Sequence, residues 1–165
     1  MQRSDQFTGL DLAQTQRFAV CLGQLLQPGI IIFLKGQLGA GKTTLVRSLL
    51  HSLGYDGLVK SPTFTVVESY EVRLNYGAVV PFFHFDLYRL NSPSELFEMG
   101  FEDYLSQQSI LCIEWPEKAE STLPVADLQL SMQVEKTGCL RSFQLEASTS
   151  RGVSLLENLI RCDLC

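Results

Sequence analysis

The chain lacks the features of a membrane-spanning or secreted protein. No apolar run approaches the roughly 18 residues from which a transmembrane helix is predicted. Residues 1–6 are polar and contain no apolar stretch of the kind found in secretory signals. We therefore expect no membrane segment and no secretory leader.

Positive charge is also scarce. The sequence holds 13 lysines and arginines against 18 aspartates and glutamates, which gives a formal net charge of −5. A protein that grips nucleic acid through its overall field needs the opposite balance. We expect no strong intrinsic nucleic-acid binding, and contact with a nucleic acid would have to run through a partner.

The cysteines do not form the framework of a disulfide-rich domain. Their number is odd and their spacing irregular, which favours free thiols in a reducing cytosol. The last two form a C-x-x-C pair without the βαβ context or second pair that a redox or metal role needs. The five positions are Cys21, Cys112, Cys139, Cys162 and Cys165.

The composition is that of an ordinary globular chain. Hydrophobic residues make up 45% of the 165 positions and charged residues 19%. This length is sufficient for one hydrophobic core, and we find no internal repeat or low-complexity linker. We therefore predict a single domain over residues 1–165.

One segment carries specific chemistry. Residues 36–43 (GQLGAGKT) fit the pattern G-x-x-x-x-G-K-[ST] of a phosphate-binding P-loop. The apolar run at 30–34 predicts a buried strand before it, and leucines at 45, 49 and 53 predict a helix after it. Strand, glycine loop and helix form the context that this motif requires.

Each residue type in this loop has a physical role. Glycines allow a positive φ, so that successive N–H groups can point inward around an anion. The following helix adds its positive N-terminal end. The ammonium of Lys42 is suited to the β- and γ-phosphates of a nucleotide, and the hydroxyl of Thr43 to Mg²⁺.

The rest of the chain alternates helix and strand patterns. A capping-box pattern from Thr8 to Asp11 predicts a helix start, as does Ser92 followed by Pro93. We predict an α/β fold, a P-loop NTPase-like mixed sheet with parallel core strands, antiparallel members and flanking helices. The further segments are a loop that leads into a strand at 60–70, strands at 79–86 and 110–114, and a last helix at 154–161. Hairpins are predicted around 75–77 and between 128–134 and 143–147.

Two predicted strands end in a carboxylate, at Asp86 and Glu114. Ligands of open α/β sheets bind at the carboxyl ends of strands, and Mg²⁺ takes one or two carboxylates in such sites. One acid is therefore suited to the metal or its waters and the other to the attacking water, with the assignment left open. Thr63 lies in a loop that resembles a nucleotide-sensing switch, with an ordinary polar strand face as the alternative.

The residues around the two acids each fit more than one role. His84 falls on the same strand face as Asp86 by alternation, and it fits either a phosphate contact or a structural histidine. Arg89 fits an in-chain arginine finger or a salt bridge. Trp115 fits a packing or interface position.

Four segments, in this order, resemble the TsaE (YjeE) family of small bacterial ATPases of tRNA threonylcarbamoyladenosine synthesis. They are residues 36–44 (GQLGAGKTT), 61–65 (SPTFT), 84–89 (HFDLYR) and 114–117 (EWPE). The resemblance covers nearly the whole chain. Gln37 departs from the acidic residue expected there in many relatives.

The resemblance implies a Mg²⁺-dependent ATPase that is weak alone and depends on partners. It implies that ATP or ADP contacts the loop, that Thr43 and Glu114 ligate Mg²⁺, and that Asp86, Lys42 and Thr63 serve catalysis. The implied nucleotide contacts are Leu12, Gly36, Gln37, Leu38, Gly39, Ala40, Gly41, Lys42, Thr43, Thr44 and Gly138, of which Leu12 and Gly138 flank the base.

The implied partners are the TsaB and TsaD proteins, which would hold the tRNA. The implied location is the cytoplasm. Two other functions remain open at this stage. A P-loop kinase of a small metabolite needs a lid with several arginines, whereas the eight arginines here are scattered. A nucleotide-dependent interaction module would use hydrolysis only to reset itself.

Overall fold

Seven strands form one mixed sheet, flanked by helices, as the α/β prediction requires. The computed structural model describes residues 2–105 and 108–162. The strands are β1 (Arg3–Leu10), β2 (Ile31–Lys35), β3 (Val67–Arg73), β4 (Val79–Asp86), β5 (Ile110–Glu114), β6 (Leu128–Val134) and β7 (Arg141–Ala147). The helices are α1 (Leu12–Leu25), α2 (Lys42–Ser52), α3 (Pro93–Glu98), α4 (Phe101–Leu105) and α5 (Ser150–Ile160), with a short 3-10 helix at Pro116–Lys118.

The strand order is β1-β7-β6-β2-β5-β4-β3. The four strands β6, β2, β5 and β4 run parallel to one another. The outer pairs β1–β7, β7–β6 and β4–β3 are antiparallel. The fold class is confirmed, and so are both predicted hairpins. The parallel centre brings the carboxyl ends of four strands to one edge of the sheet, where α/β proteins bind ligands.

Each face of the sheet carries its own core because successive strand side chains point to opposite faces. Ile32 and Leu34 of β2 face a cluster built with α1, α2 and α5. Phe33, between them, faces a second cluster that includes residues of α3 and α4. The central strands are therefore apolar on both faces, which is the pattern that the sequence showed at 30–34 and 110–114.

The N-terminal region differs from the prediction. Residues 3–10 form strand β1, which pairs with β7 at the edge of the sheet. The cap of α1 is Asp11 rather than Thr8, with Asp11 Oδ1 accepting from Gln14 N over 2.7 Å and Gln14 Oε1 accepting from Asp11 N over 3.0 Å. The predicted cap was wrong because the extended backbone of β1 continues past Thr8.

The last helix starts earlier than the predicted residue 154. The last helix begins at Ser150, capped by Thr149, whose hydroxyl accepts from Gly152 N over 3.0 Å. Pro81 lies early in β4, just before pairing with β5 begins at Phe82, so its missing N–H removes no bond of that ladder.

The prediction of free cysteines was wrong for two of the five. Cys21 in α1 and Cys162 after α5 form a disulfide across 141 residues. Packing of α1 and α5 on one face of the sheet brings them together, which no local spacing could show. Cys112 and Cys139 are free. Cys165 lies outside the described residues, so its predicted free thiol stays a prediction.

Within the described ranges 2–105 and 108–162, no helix has the length and apolar character needed to cross a bilayer.

Candidate functional site

The glycine loop connects β2 to α2 at the carboxyl edge of the sheet. Gly36 has φ 148°, and a Cβ added there would lie 2.6 Å from the carbonyl oxygen of Met132 on the neighbouring β6. Gly41 caps α2 in the left-handed region with φ 101°. Both positions need glycine, the first for close approach and the second for its backbone angle. The loop is thus wedged between β6 and the helix that follows it.

Lys42 starts α2 and folds back over the loop. Its Nζ donates hydrogen bonds to the carbonyls of Gly36 over 2.7 Å and Gln37 over 3.0 Å. The same atom lies 4.1 Å from the centroid of the Trp115 ring, a cation–π contact. Burial lowers the pKa of Lys42, and the nearby carboxylates of Glu114 and Asp86 oppose that shift. The ammonium is therefore held, in a largely desolvated place, beside the anion-binding loop.

The two strand-end acids lie side by side. Asp86 and Glu114 are register partners at the ends of β4 and β5, and both are nearly fully buried, with 4% and 2% of their surface exposed. Two carboxylates this close repel each other and attract cations. Lys42 is the cation that the structure places beside them.

Glu114 is held by two hydrogen bonds to one oxygen. Its Oε1 accepts from the hydroxyl of Thr43 over 2.9 Å and contacts Nε2 of His84 at 2.8 Å. Thr43 thus links the loop directly to the end of β5. His84 is wholly buried on β4, on the same strand face as Asp86, as its spacing predicted.

Asp86 is held by the loop that precedes β3. Its Oδ2 accepts from the hydroxyl of Thr63 over 2.7 Å, and Ser61 lies 2.7 Å from that hydroxyl. Its Oδ1 accepts from the backbone N–H of Tyr88 over 3.0 Å. The sequence pointed to the segment 61–63 and to Asp86 separately. In the structure a hydrogen bond joins them.

These groups surround a single cleft of about 450 Å³. The cleft is large enough for the phosphates of a nucleotide, since small-molecule sites start at roughly 300 Å³. Its lining combines the glycine loop with both acids and the residues that hold them. The lining residues are Leu38, Gly39, Gly41, Lys42, Thr43, Thr44, Ser61, Thr63, Asp86, Tyr88, Arg89, Glu114 and Trp115.

A smaller cavity of about 200 Å³ lies on the other side of the loop. It brings Leu12 to Gly41 and Thr44, beside Cys139. The predicted base contact Gly138 adjoins this cavity through Cys139. Of the loop, Ala40, Gly41 and Thr44 line it, as does Arg141. Leu12 is 63% exposed, and its role as a base contact stays a prediction.

Sequence reasoning missed Arg141, which ties the late hairpin to the loop. Its Nε donates to the carbonyl of Ala40 over 3.1 Å, and its Nη1 to those of Gly138 and Leu140 over 3.2 Å. Arg141 begins β7, and it reaches the loop only because β7 pairs with β6 and β6 with β2, so no local pattern pointed to it.

Aromatic residues shape the rim of the larger cleft. Trp115 has a left-handed backbone with φ 56°, a strained conformation for a residue with a side chain, and its ring packs 5.0 Å from that of Tyr88. The guanidinium of Arg89 stacks 4.1 Å from the ring of Phe64, which is 81% exposed. The structure therefore gives Arg89 an aromatic partner, and Trp115 a contact with the P-loop lysine that its sequence position did not predict.

The donor set fits a magnesium ion held together with phosphate. The oxygens of Thr43, Glu114 and Asp86 converge on the cleft, and Mg²⁺ prefers oxygen ligands of this kind. Among the described residues no group of three or more His, Cys, Asp or Glu could hold a metal alone. Such a site suits Mg²⁺, which usually retains several waters and binds through substrate phosphates and one or two carboxylates.

A glycine loop between a buried parallel strand and a helix, with its lysine beside strand-end carboxylates, defines the P-loop class of nucleotide-binding proteins. The sequence model of one family, described as "Threonylcarbamoyl adenosine biosynthesis protein TsaE", matches residues 10–142. The chain belongs to the TsaE family, which confirms the resemblance drawn from its motifs.

Similar proteins agree with this family. The tRNA threonylcarbamoyladenosine biosynthesis protein TsaE of Haemophilus influenzae is 40% identical over 153 residues, covering 92% of this chain and 91% of that protein. The protein of the same name from Bacillus subtilis is 34% identical over 71% of this chain and 70% of its own length. The crystal structure of YdiB from B. subtilis superposes with a TM-score of 0.79 at 27% identity, covering 98% of this chain and 97% of that one.

Proposed function

We propose that this chain binds ATP with Mg²⁺ and hydrolyses it in the service of threonylcarbamoyladenosine formation in tRNA, next to the anticodon. It would act in the cytoplasm with the TsaB and TsaD proteins. Support comes from the family and from relatives whose names give this pathway. The ATP chemistry itself is argued from the site.

The observation that carries the proposal is a pair of threonine–carboxylate contacts that meet at the P-loop lysine. The hydroxyl of Thr43 donates a hydrogen bond to Glu114, and the hydroxyl of Thr63 donates one to Asp86. Both carboxylates also act electrostatically on Lys42. A glycine turn that only caps a helix does not require two buried acids beside it. Phosphoryl chemistry requires a cation, a carboxylate that holds the metal and a group that orients water.

The residues divide the work according to where they lie. The loop N–H groups and the N-terminus of α2 are suited to the β-phosphate, and the ammonium of Lys42 to the β- and γ-phosphates. The Thr43 hydroxyl and Glu114 would hold the metal, which when bound neutralises charge on the phosphates. To do so, Thr43 would give up its hydrogen bond to Glu114.

Asp86 would orient the attacking water. One of its oxygens is fixed by the Tyr88 N–H, and the other shares a hydrogen bond with Thr63. In hydrolysis the water oxygen bonds to the γ-phosphorus while the bond to the bridging oxygen breaks. The electron pair of that bond leaves with ADP, and the proton of the water passes to the released phosphate. Asp86 contributes by holding the water in line.

The site favours hydrolysis over a small-metabolite kinase. A kinase lid uses several arginines to neutralise the transferred phosphate. Among the described residues that line the cleft, Arg89 is the only arginine, and its guanidinium is stacked on Phe64. The acidic net charge of −5 likewise favours a role on tRNA through partner proteins.

Titration calorimetry with ATP, GTP, ADP and AMP, with and without Mg²⁺, tests the proposal. We expect ATP and ADP to bind, AMP to bind much more weakly, and Lys42→Ala to lose most of the affinity while keeping its circular dichroism. Arg73→Ala is the matched control, because Arg73 is an exposed cation at the end of β3 far from Asp86. Wild-type affinity in Lys42→Ala would contradict the P-loop role, and phosphate transfer to a metabolite instead of water would favour the kinase.

A further inference from the structure

His84 is the most deeply buried polar side chain at the site. It is 0% exposed and stands on β4, opposite Cys112 of β5. Its Nε2 lies 2.8 Å from Glu114 Oε1. Its other ring nitrogen, Nδ1, is buried and makes no hydrogen bond to any of the described residues. Among the described residues, Glu114 is therefore the one polar partner of the imidazole.

Packing alone does not account for an imidazole at this position. A buried polar atom without a partner costs free energy, and Nδ1 is such an atom. An apolar side chain of similar size would fill the same space between Phe82 and the cleft without that cost. What an apolar side chain would not supply is the contact from Nε2 to Glu114.

That contact has a direction. An ionised carboxylate only accepts hydrogen bonds, so Nε2 is the donor. Oε1 of Glu114 thus receives two donors, Nε2 from one side and the Thr43 hydroxyl from the other. Oε2 accepts no hydrogen bond from the residues that the structure describes, and Glu114 lines the cleft. The carboxylate is fixed by one oxygen while the other remains for a ligand.

From this geometry we infer that His84 is a positioning residue, which holds Glu114 through Nε2 so that its carboxylate keeps one orientation toward the metal of the nucleotide. The inference rests on the proposed magnesium–nucleotide function. If Thr43 gave up its contact with Glu114 to ligate the ion, His84 would remain as the donor to Oε1 and would keep the carboxylate from rotating. Loss of a group that orients a metal ligand in this way typically lowers metal affinity by roughly 10- to 100-fold.

The test measures binding rather than turnover. The quantity is the magnesium ratio, defined as the dissociation constant for ADP in EDTA divided by that in Mg²⁺. His84→Gln and His84→Asn form a matched pair, because both bury an amide but only the longer glutamine can place its N–H near Glu114 Oε1. His84→Met removes the donor without adding a polar group. Phe82→Leu on the same strand face controls for lost packing.

We expect His84→Asn and His84→Met to reduce the magnesium ratio roughly 10-fold or more, as Glu114→Gln should, with metal-free ADP binding unchanged. His84→Gln should stay close to the wild type. Phe82→Leu should lower the melting temperature and leave the ratio alone. If one of the two donor-free variants, His84→Asn or His84→Met, fails to fold, the other one decides the test, because Asn and Met differ in polarity.

The outcomes separate the inference from the function on which it rests. A wild-type ratio in both donor-free variants, while Glu114→Gln lowers it, would overturn the positioning role and leave the proposed function standing. Equal losses in His84→Gln and His84→Asn would also overturn it. A wild-type protein that binds ADP equally well with and without Mg²⁺ would overturn the magnesium site itself, and the inference with it.

Discussion

The hydroxyl of Thr63 donates a hydrogen bond to Oδ2 of Asp86 over 2.7 Å, across 23 positions of the sequence. The contact joins a loop, residues 61–65, to the carboxyl end of a central strand. Because Asp86 also lines the cleft, it connects the cleft to this loop through one hydrogen bond. This is the arrangement from which a nucleotide-responsive segment can be built, since such segments depend on contacts that differ between ligand states.

Replacing Thr63 with valine should therefore affect turnover more than binding. Valine keeps the shape of threonine but cannot donate to Asp86, and a hydrogen bond to a charged group contributes about 1.5–3 kcal/mol. We expect ATP affinity within a few-fold of the wild type and a turnover rate roughly 10- to 100-fold lower. Thr63→Ser should restore most of the rate. Steady-state phosphate release measures this, and unchanged turnover in Thr63→Val would show that the contact has no catalytic role.

The two strand-end acids should separate in their effects. Glu114→Ala removes the carboxylate that Thr43 contacts, so the advantage that Mg²⁺ gives to nucleotide binding should largely disappear. Asp86→Ala should mainly slow hydrolysis, by roughly 10²- to 10⁴-fold, the range for a lost acid–base or water-orienting group. Calorimetry and turnover assays on both variants decide the matter. If Asp86→Ala abolishes the magnesium dependence and Glu114→Ala does not, the roles must be exchanged.

The pKa of Lys42 predicts a pH dependence of stability. Desolvation lowers this pKa below the ordinary lysine value of 10.5, despite the opposing effect of Glu114 and Asp86. The folded state then holds the proton less readily than the unfolded chain, so charged Lys42 destabilises the fold below its folded pKa, and this penalty disappears as pH rises toward 10.5. Lys42→Met removes the penalty. Its melting temperature should exceed that of the nucleotide-free wild type most at neutral pH.

The measurement is the difference in melting temperature between Lys42→Met and the wild type, taken from about pH 7 to about pH 10. The difference should shrink as pH rises. Arg73→Ala provides the baseline, because a guanidinium does not titrate in this range. A difference that stays constant or grows with pH would mean that Lys42 is not disfavoured by burial.

The disulfide between Cys21 and Cys162 should stabilise the oxidised protein. It closes a loop of 141 residues, for which the chain-entropy account gives about 5 kcal/mol. Cys162→Ser should lower the melting temperature of air-oxidised protein by roughly 10 °C, and have little effect with a thiol reductant, the condition that resembles a cytosol. Equal melting temperatures without reductant would show that the bond does not form, and mass mapping of alkylated peptides provides an independent check.

The parts of the fold that could be predicted were those in which local physics sets the pattern of residues. The strand at 110–114 was predicted to the residue, because burial on both faces makes it continuously apolar. Strand β1 was missed, since its largely polar, exposed residues follow only from pairing with β7 at the sheet edge. The close packing of Gly152 against the carbonyl of Asp127 likewise depends on where α5 docks, which no neighbouring residue specifies.

The site shows the same division. The P-loop pattern and the acids that end β4 and β5 could be identified from the sequence, because chemistry and strand ends are both local features. That His84 and Asp86 share a face was predictable by alternation. That His84 meets Glu114 was not, since the contact depends on the register between β4 and β5. Arg141 reaches the loop only because β7 pairs with β6 and β6 with β2.

The most direct test of the central claim counts threonylcarbamoyladenosine formed per TsaB–TsaD complex in a reconstituted tRNA modification assay. The wild type, Lys42→Ala and Arg73→Ala are compared at substoichiometric complex, together with the complex alone. We predict many modifications per complex with the wild type and with Arg73→Ala, and no repeated rounds with Lys42→Ala or without the protein. Equal multiple-turnover yields in all four cases would contradict the assignment of this P-loop protein to the pathway.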